Sequence, residues 1–129
     1  MGTESDAERV ARELLDALAK HDAAAFRPLF TDDVVYHNIP MEPAVGIEAS
    51  IAFLDGFFGM FENAEVEILN LAVRDNVVLT ERIDSMAIGG TVAALPVMGA
   101  IEVRDGKVCA WRDYFDMGQI TAMLSGASG

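Results

Sequence analysis

Cysteine is almost missing from this chain of 129 residues, and basic charge is scarce. The one cysteine, Cys109, excludes a disulfide within the chain and any cysteine-based zinc cluster. Nine Lys and Arg stand against 21 Asp and Glu, a formal net charge of -12. Phosphate binding needs a basic face, so no nucleic acid is expected as a partner. Anionic membrane surfaces and strongly anionic substrates are disfavoured on the same ground. Long apolar runs are also lacking: the longest, residues 92–101, is too short for a bilayer and contains Pro96 and Gly99. The opening Met1-Gly2-Thr3-Glu4-Ser5-Asp6 is acidic and lacks an apolar segment, so no secretion signal is expected. Myristoylation at Gly2 would want Ser or Thr where Asp6 stands. No membrane contact is expected, and the cytoplasm is the expected location. Only two histidines occur, His21 and His37, and with scattered acids they make no metal-ligand pattern. Neither metal nor cofactor is expected.

What remains is ordinary globular material, 52% apolar and 23% charged, enough for one domain over residues 1–129. A flexible Ser-Gly-Ala-Ser-Gly tail is expected over residues 125–129. Helical spacing of Val10, Ala11, Leu14, Leu15 and Leu18 predicts a helix over 5–20, capped by Ser5 or Thr3. Asp22 can cap a short second helix through Phe26 towards Phe30. Residues 34–38 read as a strand cut short by Pro40, and residues 47–61 as a helix with the stripe Ile47, Ile51, Leu54 and Phe58. Strands follow at 65–73, 77–88, 91–103 (interrupted at Pro96 and Gly99) and 107–115. Asp105-Gly106 is a strong hairpin turn, and a helix over 117–124 closes the chain. Helices followed by an antiparallel meander imply an α+β domain with helices on one face of a curved sheet.

Strand alternation brings out the chemistry. On strand 77–88, Val78, Thr80, Arg82, Asp84, Met86 and Ile88 share one face. On strand 107–115, Cys109, Trp111, Asp113 and Phe115 share a face, and on strand 34–38 Tyr36 and Asn38 do, with His37 turned away. If these faces converge inside a curved sheet, Arg82, Asp84, Asp113, Tyr36 and Asn38 form one buried cluster. Buried charges are costly unless paired, and one guanidinium fork can hold two carboxylates at once. Two carboxylates in a low dielectric cannot both ionise freely, so the pKa of one should rise. With one shared proton the cluster is neutral, which suits a neutral, apolar substrate. The residues alone do not decide which Asp is the acid. An Arg82–Asp84 pair taken singly is better read as structural, and so is a lone Asp113.

The segments Val35-Tyr36-His37-Asn38-Ile39-Pro40, Leu79-Thr80-Glu81-Arg82-Ile83-Asp84 and Trp111-Arg112-Asp113-Tyr114-Phe115-Asp116 closely resemble the limonene-1,2-epoxide hydrolase family, in its order and at similar spacing. The resemblance covers nearly the whole chain. It implies the cone of the nuclear-transport-factor-like and steroid-isomerase-like proteins: a strongly curved mixed sheet with N-terminal helices packed on its concave side and a deep apolar pocket. It implies Asp84 as general acid, Asp113 as general base, Arg82 as the bridge, and Tyr36 and Asn38 helping Asp113 to hold a water. The implied reaction adds that water to a small apolar epoxide in one step, with no covalent intermediate. The resemblance also implies a homodimer. Val77, Leu79 and Ile83 on the second face of strand 77–88 agree with cover by a partner subunit, though cover by the chain's own helices is the other reading. The stretch 89–98 matches the family poorly and is shorter, which bears on substrate choice.

Met86, Leu95, Val97 and Phe115 are expected by strand position to line the pocket; Met41, Met60 and Met98 are weaker candidates. Cys109 reads as a small core hydrophobe, His21 as solvated, Arg112 as facing away from Asp113, and Asp116 as a helix cap. Two rival functions share this fold class. An isomerase or cyclase needs one carboxylate base and an oxyanion donor, with no use for an arginine between two carboxylates. A ligand-binding module needs no acid–base pair.

Overall fold

A computed structural model describes residues 5–128, apart from the side chains of residues 63, 123 and 126–128. Helix α1 spans Asp6–Lys20 and begins at Ser5, whose hydroxyl accepts the Glu8 amide at 3.1 Å. Thr3, the other candidate cap, lies outside the described residues. Asp6 and Glu8 in the first turn and Lys20 in the last complement the helix dipole. Val10, Ala11, Leu14, Leu15 and Leu18 are buried, as their spacing predicts. Each large apolar side chain contributes about 2 kcal/mol from removed surface, an upper figure. Asp22 caps the next turn through the Ala24 amide, but Ala23–Leu29 is a 3-10 helix rather than an α-helix. Pro28 within it has no N–H to give an α-helical ladder.

Strand β1 is Phe30–Asn38, earlier in onset than its hydrophobic pattern suggested, and β2 is the two-residue Ala44–Val45. Helix α2 is Ile47–Met60. The meander β3 Glu62–Arg74, β4 Val77–Ile88, β5 Thr91–Arg104 and β6 Lys107–Tyr114 follows, and α3, Met117–Ser128, closes the fold. Asp105 and Gly106 both have positive φ (53° and 78°), the conformation a two-residue hairpin turn requires. Helical backbone in α3 runs past Leu124 to Ser128, further than the composition of residues 125–129 suggested, while Gly129 lies outside the described residues.

The sheet order is β2-β1-β6-β5-β4-β3, with β1 parallel to β6 and all other pairs antiparallel. Register shifts within β3 and between Glu102 and Val103 bend this unclosed mixed sheet into a curve. The N-terminal helices cover one face, and Trp111, Phe26, Phe30, Leu14 and Val34 fill the core beneath them. The opposite face is uncovered by the chain's own helices: Leu69, Leu79, Met98 and Tyr114 are exposed there.

Two expectations about strands need correction. Strand β5 is continuous, pairing with β4 from Thr91 to Glu102. Pro96 is tolerated because β6 pairs with β5 only from Met98 onward, so no neighbour on that side asks for its missing N–H. Cys109 does not share the face of Trp111 and Asp113. Glu102 pairs with Ala110 and Val103 with Val108, so Cys109 is the extra residue of a bulge, with its Sγ bonded to the Glu102 carbonyl.

Candidate active site

Alternation along β4 turns Val78, Thr80, Arg82, Asp84 and Met86 inward, and all are buried. Arg82 has no exposed surface. Its Nε donates to Asp84 Oδ1 at 3.1 Å and its Nη2 to Asp84 Oδ2 at 2.8 Å. Nη2 also donates to Asp113 Oδ2 at 3.0 Å, and Nη1 to Asp113 Oδ1 and Thr80 Oγ1, both at 3.1 Å. The guanidinium has five N–H donors, and five acceptors receive them. Both carboxylates are gripped bidentately by one cation, the strongest geometry such a pair can adopt.

Asp113 sits beside Arg82 because β6 and β5 are in register at Asp113 and Gly99, while β5 and β4 are in register at Gly99 and Thr80. Gly99 therefore lies between the strand that carries Asp113 and the strand that carries Arg82. A Cβ at this position would fall 2.5 Å from Arg82 Nη1 and 2.7 Å from Asp113 Oδ1. Gly99 is thus not a break in β5 but the gap through which the ion pair closes. Trp111, two residues before Asp113, donates its Nε1 to Asp113 Oδ1 at 3.0 Å. Tyr36 stacks on the Trp111 ring (centroids 4.2 Å, planes 18° apart), and Asn38 is the register partner of Asp113 on β1.

Burial raises the Asp113 pKa above the ordinary carboxylate value; the charge and hydrogen bonds of Arg82 oppose this, while Asp84 adds to it. Arg82 is buried, which disfavours its charge, yet attraction to Asp113 and Asp84 leaves its pKa above the ordinary arginine value. Burial, then the nearby Asp113, pushes the Tyr36 phenol well above its ordinary pKa, so it stays protonated as a donor.

Asp84, Asp113, Tyr36 and Asn38 form the polar end of a cavity of about 520 Å³ whose remaining wall is almost wholly apolar. Met86, Leu95, Val97 and Phe115 line it, as do Met41 and Met60. Met98 does not: it points outward and is 55% exposed. Strand reasoning missed the opposite wall, Phe53, Phe57 and Phe61 from α2 and its end, with Met117, Ile120 and Leu124 from α3. Their spacings of four and of three to four residues are visible in the sequence, but α2 carries a second apolar stripe, through Leu54 and Phe58, which faces the main core.

Other side chains stand apart. His21 is only half exposed: in left-handed backbone at the end of α1, it packs on Phe58 and bonds that residue's carbonyl through Nε2 at 2.7 Å. His37 bonds the Met41 carbonyl. Arg112 pairs with Glu102 at 2.6 Å, away from Asp113, and Asp116 accepts the Gly118 amide as a helix cap. Among the described residues, no three His, Cys, Asp or Glu side chains gather as a metal site would require. Nor is any described helix long and apolar enough to cross a membrane.

The family model of the limonene-1,2-epoxide hydrolase catalytic domain matches residues 5–126. Epoxide hydrolase EphG of Mycobacterium tuberculosis is 34% identical over 103 residues, covering 80% of this chain and 68% of that protein. The solved structure of an M. tuberculosis LEH-like epoxide hydrolase is similar, with a TM-score of 0.81 and 32% identity over 94% of this chain and 91% of the other. A protein described as a SnoaL-like polyketide cyclase from Jannaschia sp. CCS1 has a TM-score of 0.84 at 19% identity, covering 97% of this chain and 95% of that one, which shows the shared fold alone.

The ion-pair geometry yields a stability prediction. Arg82→Met removes the only cation of the cluster and leaves two buried carboxylates, which costs about 3–5 kcal/mol at pH 7. Without the arginine, folded-state carboxyl pKa values rise, so the folded state binds more protons and stability increases as pH falls. Urea melts should show a large deficit at pH 7 that narrows towards pH 5. An equal deficit at both pH values would refute this.

Proposed function

The chain belongs to the limonene-1,2-epoxide hydrolase family, whose members are hydrolases acting on epoxides, and we propose that its Asp84–Arg82–Asp113 cluster adds water to a neutral, apolar epoxide to give a vicinal diol. The observation that carries this reading is a guanidinium holding two carboxylates at the closed, polar end of an apolar cavity. Two carboxylates and one arginine carry one excess negative charge, which a single bound proton cancels. A terpene-like or other cyclic epoxide then meets neither net charge nor a polar wall.

In the proposed step Asp113 takes a proton from water as the water oxygen bonds to one epoxide carbon. The carbon–oxygen bond on that carbon breaks, its electron pair goes to oxygen, and Asp84 delivers the proton that oxygen needs. Tyr36 and Asn38 help Asp113 hold the water. The diol leaves with the proton now on Asp113, and exchange with solvent returns the pair to its starting state. General acid and general base each supply about 10²–10⁴-fold, and positioning adds more. Arg82 keeps the two carboxyls at fixed separation and touches no reacting atom. A cyclase or isomerase on this fold would leave the second carboxylate without a task.

Two finer readings go with it. The exposed apolar face carrying Leu69, Leu79, Met98 and Tyr114 is proposed to be covered by a second copy, since this much adjoining apolar surface seldom stays in water. The single cysteine suits a reducing compartment, and we place the protein in the cytoplasm.

Diol formation from limonene-1,2-epoxide, cyclohexene oxide and styrene oxide is the test. Asp113→Asn should fold yet lose about 10²–10⁴-fold in turnover. Because the base must be ionised, kcat/KM should fall as pH drops through the raised Asp113 pKa, placing the acid limb above the ordinary carboxylate range. Full activity in folded Asp113→Asn would sink the reading. For the second copy, light scattering should give twice the chain mass, and Leu79→Lys should halve it; a monomeric wild type would remove the dimer.

A further inference from the structure

The two oxygens of Asp113 are not equivalent. Oδ1 accepts Arg82 Nη1 at 3.1 Å and Trp111 Nε1 at 3.0 Å, and it packs against the bare Cα of Gly99. Oδ2 accepts Arg82 Nη2 at 3.0 Å, its one donor among the described residues. A carboxylate oxygen offers about two lone-pair directions, so Oδ1 is filled and Oδ2 keeps one open. Arg82 Nη2 carries two hydrogens, one to Asp113 Oδ2 and one to Asp84 Oδ2, so the two Oδ2 atoms flank the same nitrogen.

Trp111 is itself held firmly. Its ring has no exposed surface and stacks on both Tyr36, at 4.2 Å, and Phe26, at 5.9 Å, with planes within 18° and 16° of parallel. The indole N–H therefore cannot turn away from Oδ1 without breaking both stacks.

Resting on the hydrolase reading above, we infer that Trp111 is a positioning residue which anchors Asp113 through Oδ1, with Gly99 leaving the space for it, and thereby makes Oδ2 the atom that receives the proton from water. The indole does two things. It stops the carboxyl group rotating about its last bond, so Oδ2 keeps a fixed direction relative to Asp84. It also spreads the carboxylate charge towards the rear of the site, lowering the basicity that burial raises. The charged or titratable groups around Asp113 are Arg82 and Asp84 from β4 and Tyr36 from β1, with Glu65 of β3 at the cavity rim; the helices line the cavity without any.

The chain holds a single tryptophan, which permits a clean test in the full-length protein. Trp111→Phe removes the donor and keeps much of the ring. Biosynthetic replacement of the one tryptophan by its benzothienyl isostere keeps ring shape and stacking while losing only the N–H. Two readouts apply to both: the carboxyl ¹³C titration of Asp113, assigned with Asp113→Asn, and kcat and KM for cyclohexene oxide across pH. Loss of the anchor should move the Asp113 titration and the acid limb of kcat to higher pH together. It should also lower kcat by roughly ten- to a hundredfold in the plateau, with KM within about twofold. A folded isostere variant whose titration and pH profile superimpose on wild type would overturn the inference. No epoxide turnover by wild type would overturn the hydrolase reading instead, and the carboxyl titration would still decide whether Trp111 holds Asp113.

Discussion

A guanidinium buried without any exposed surface can persist only if each of its donors finds an acceptor, and for Arg82 those acceptors are Asp84, Asp113 and Thr80. Much of the surrounding architecture follows from that demand. Asp84 and Thr80 must flank Arg82 at two-residue spacing on one strand. Asp113 must reach the same cation from two strands away, across β5. Nothing larger than glycine fits on β5 at the crossing point. The curvature of the sheet, set by bulges in β3 and at Cys109, brings the three strands' inner faces to one place.

The same demand gives the pocket its character. Because the acidic residues are satisfied at their backs by Arg82 and Trp111, the rest of the wall can be apolar without leaving a buried polar group unpaired. An apolar wall with one preorganised polar end needs no reorganisation when a neutral substrate enters, which is the condition under which acid–base groups act most effectively. The aromatic stack Phe26–Trp111–Tyr36 links this end to the main core, so that core packing and site geometry are one structure rather than two.

Much of this was legible in the sequence, and the exceptions have physical causes. Period-two alternation placed Arg82, Asp84, Tyr36, Asn38 and Asp113 on inner faces, since alternation holds wherever a strand is regular. It failed at Cys109, where a bulge resets the parity, because a bulge depends on the register of a neighbouring strand. Gly99 read as a strand breaker because its cost is local, whereas its purpose, room for Arg82 and Asp113, is tertiary. Pro96 misled for a similar reason: only the topology shows that its side of β5 is unpaired there. His21 looked solvated at a helix end, but the contact that half-covers it comes from Phe58, far along the chain. The helical wall of the pocket was missed because α2 is apolar on more than one side, so no single stripe identifies which face meets the cavity.

In the proposed reaction Asp113 activates water and never bonds to carbon. A single turnover in H₂¹⁸O with enzyme in excess over cyclohexene oxide, read by mass spectrometry, tests it most directly. Direct addition puts ¹⁸O into the diol in that first turnover and leaves the protein unlabelled. An unlabelled diol, with ¹⁸O in the peptide carrying Asp113, would show attack by the carboxylate itself and contradict the account.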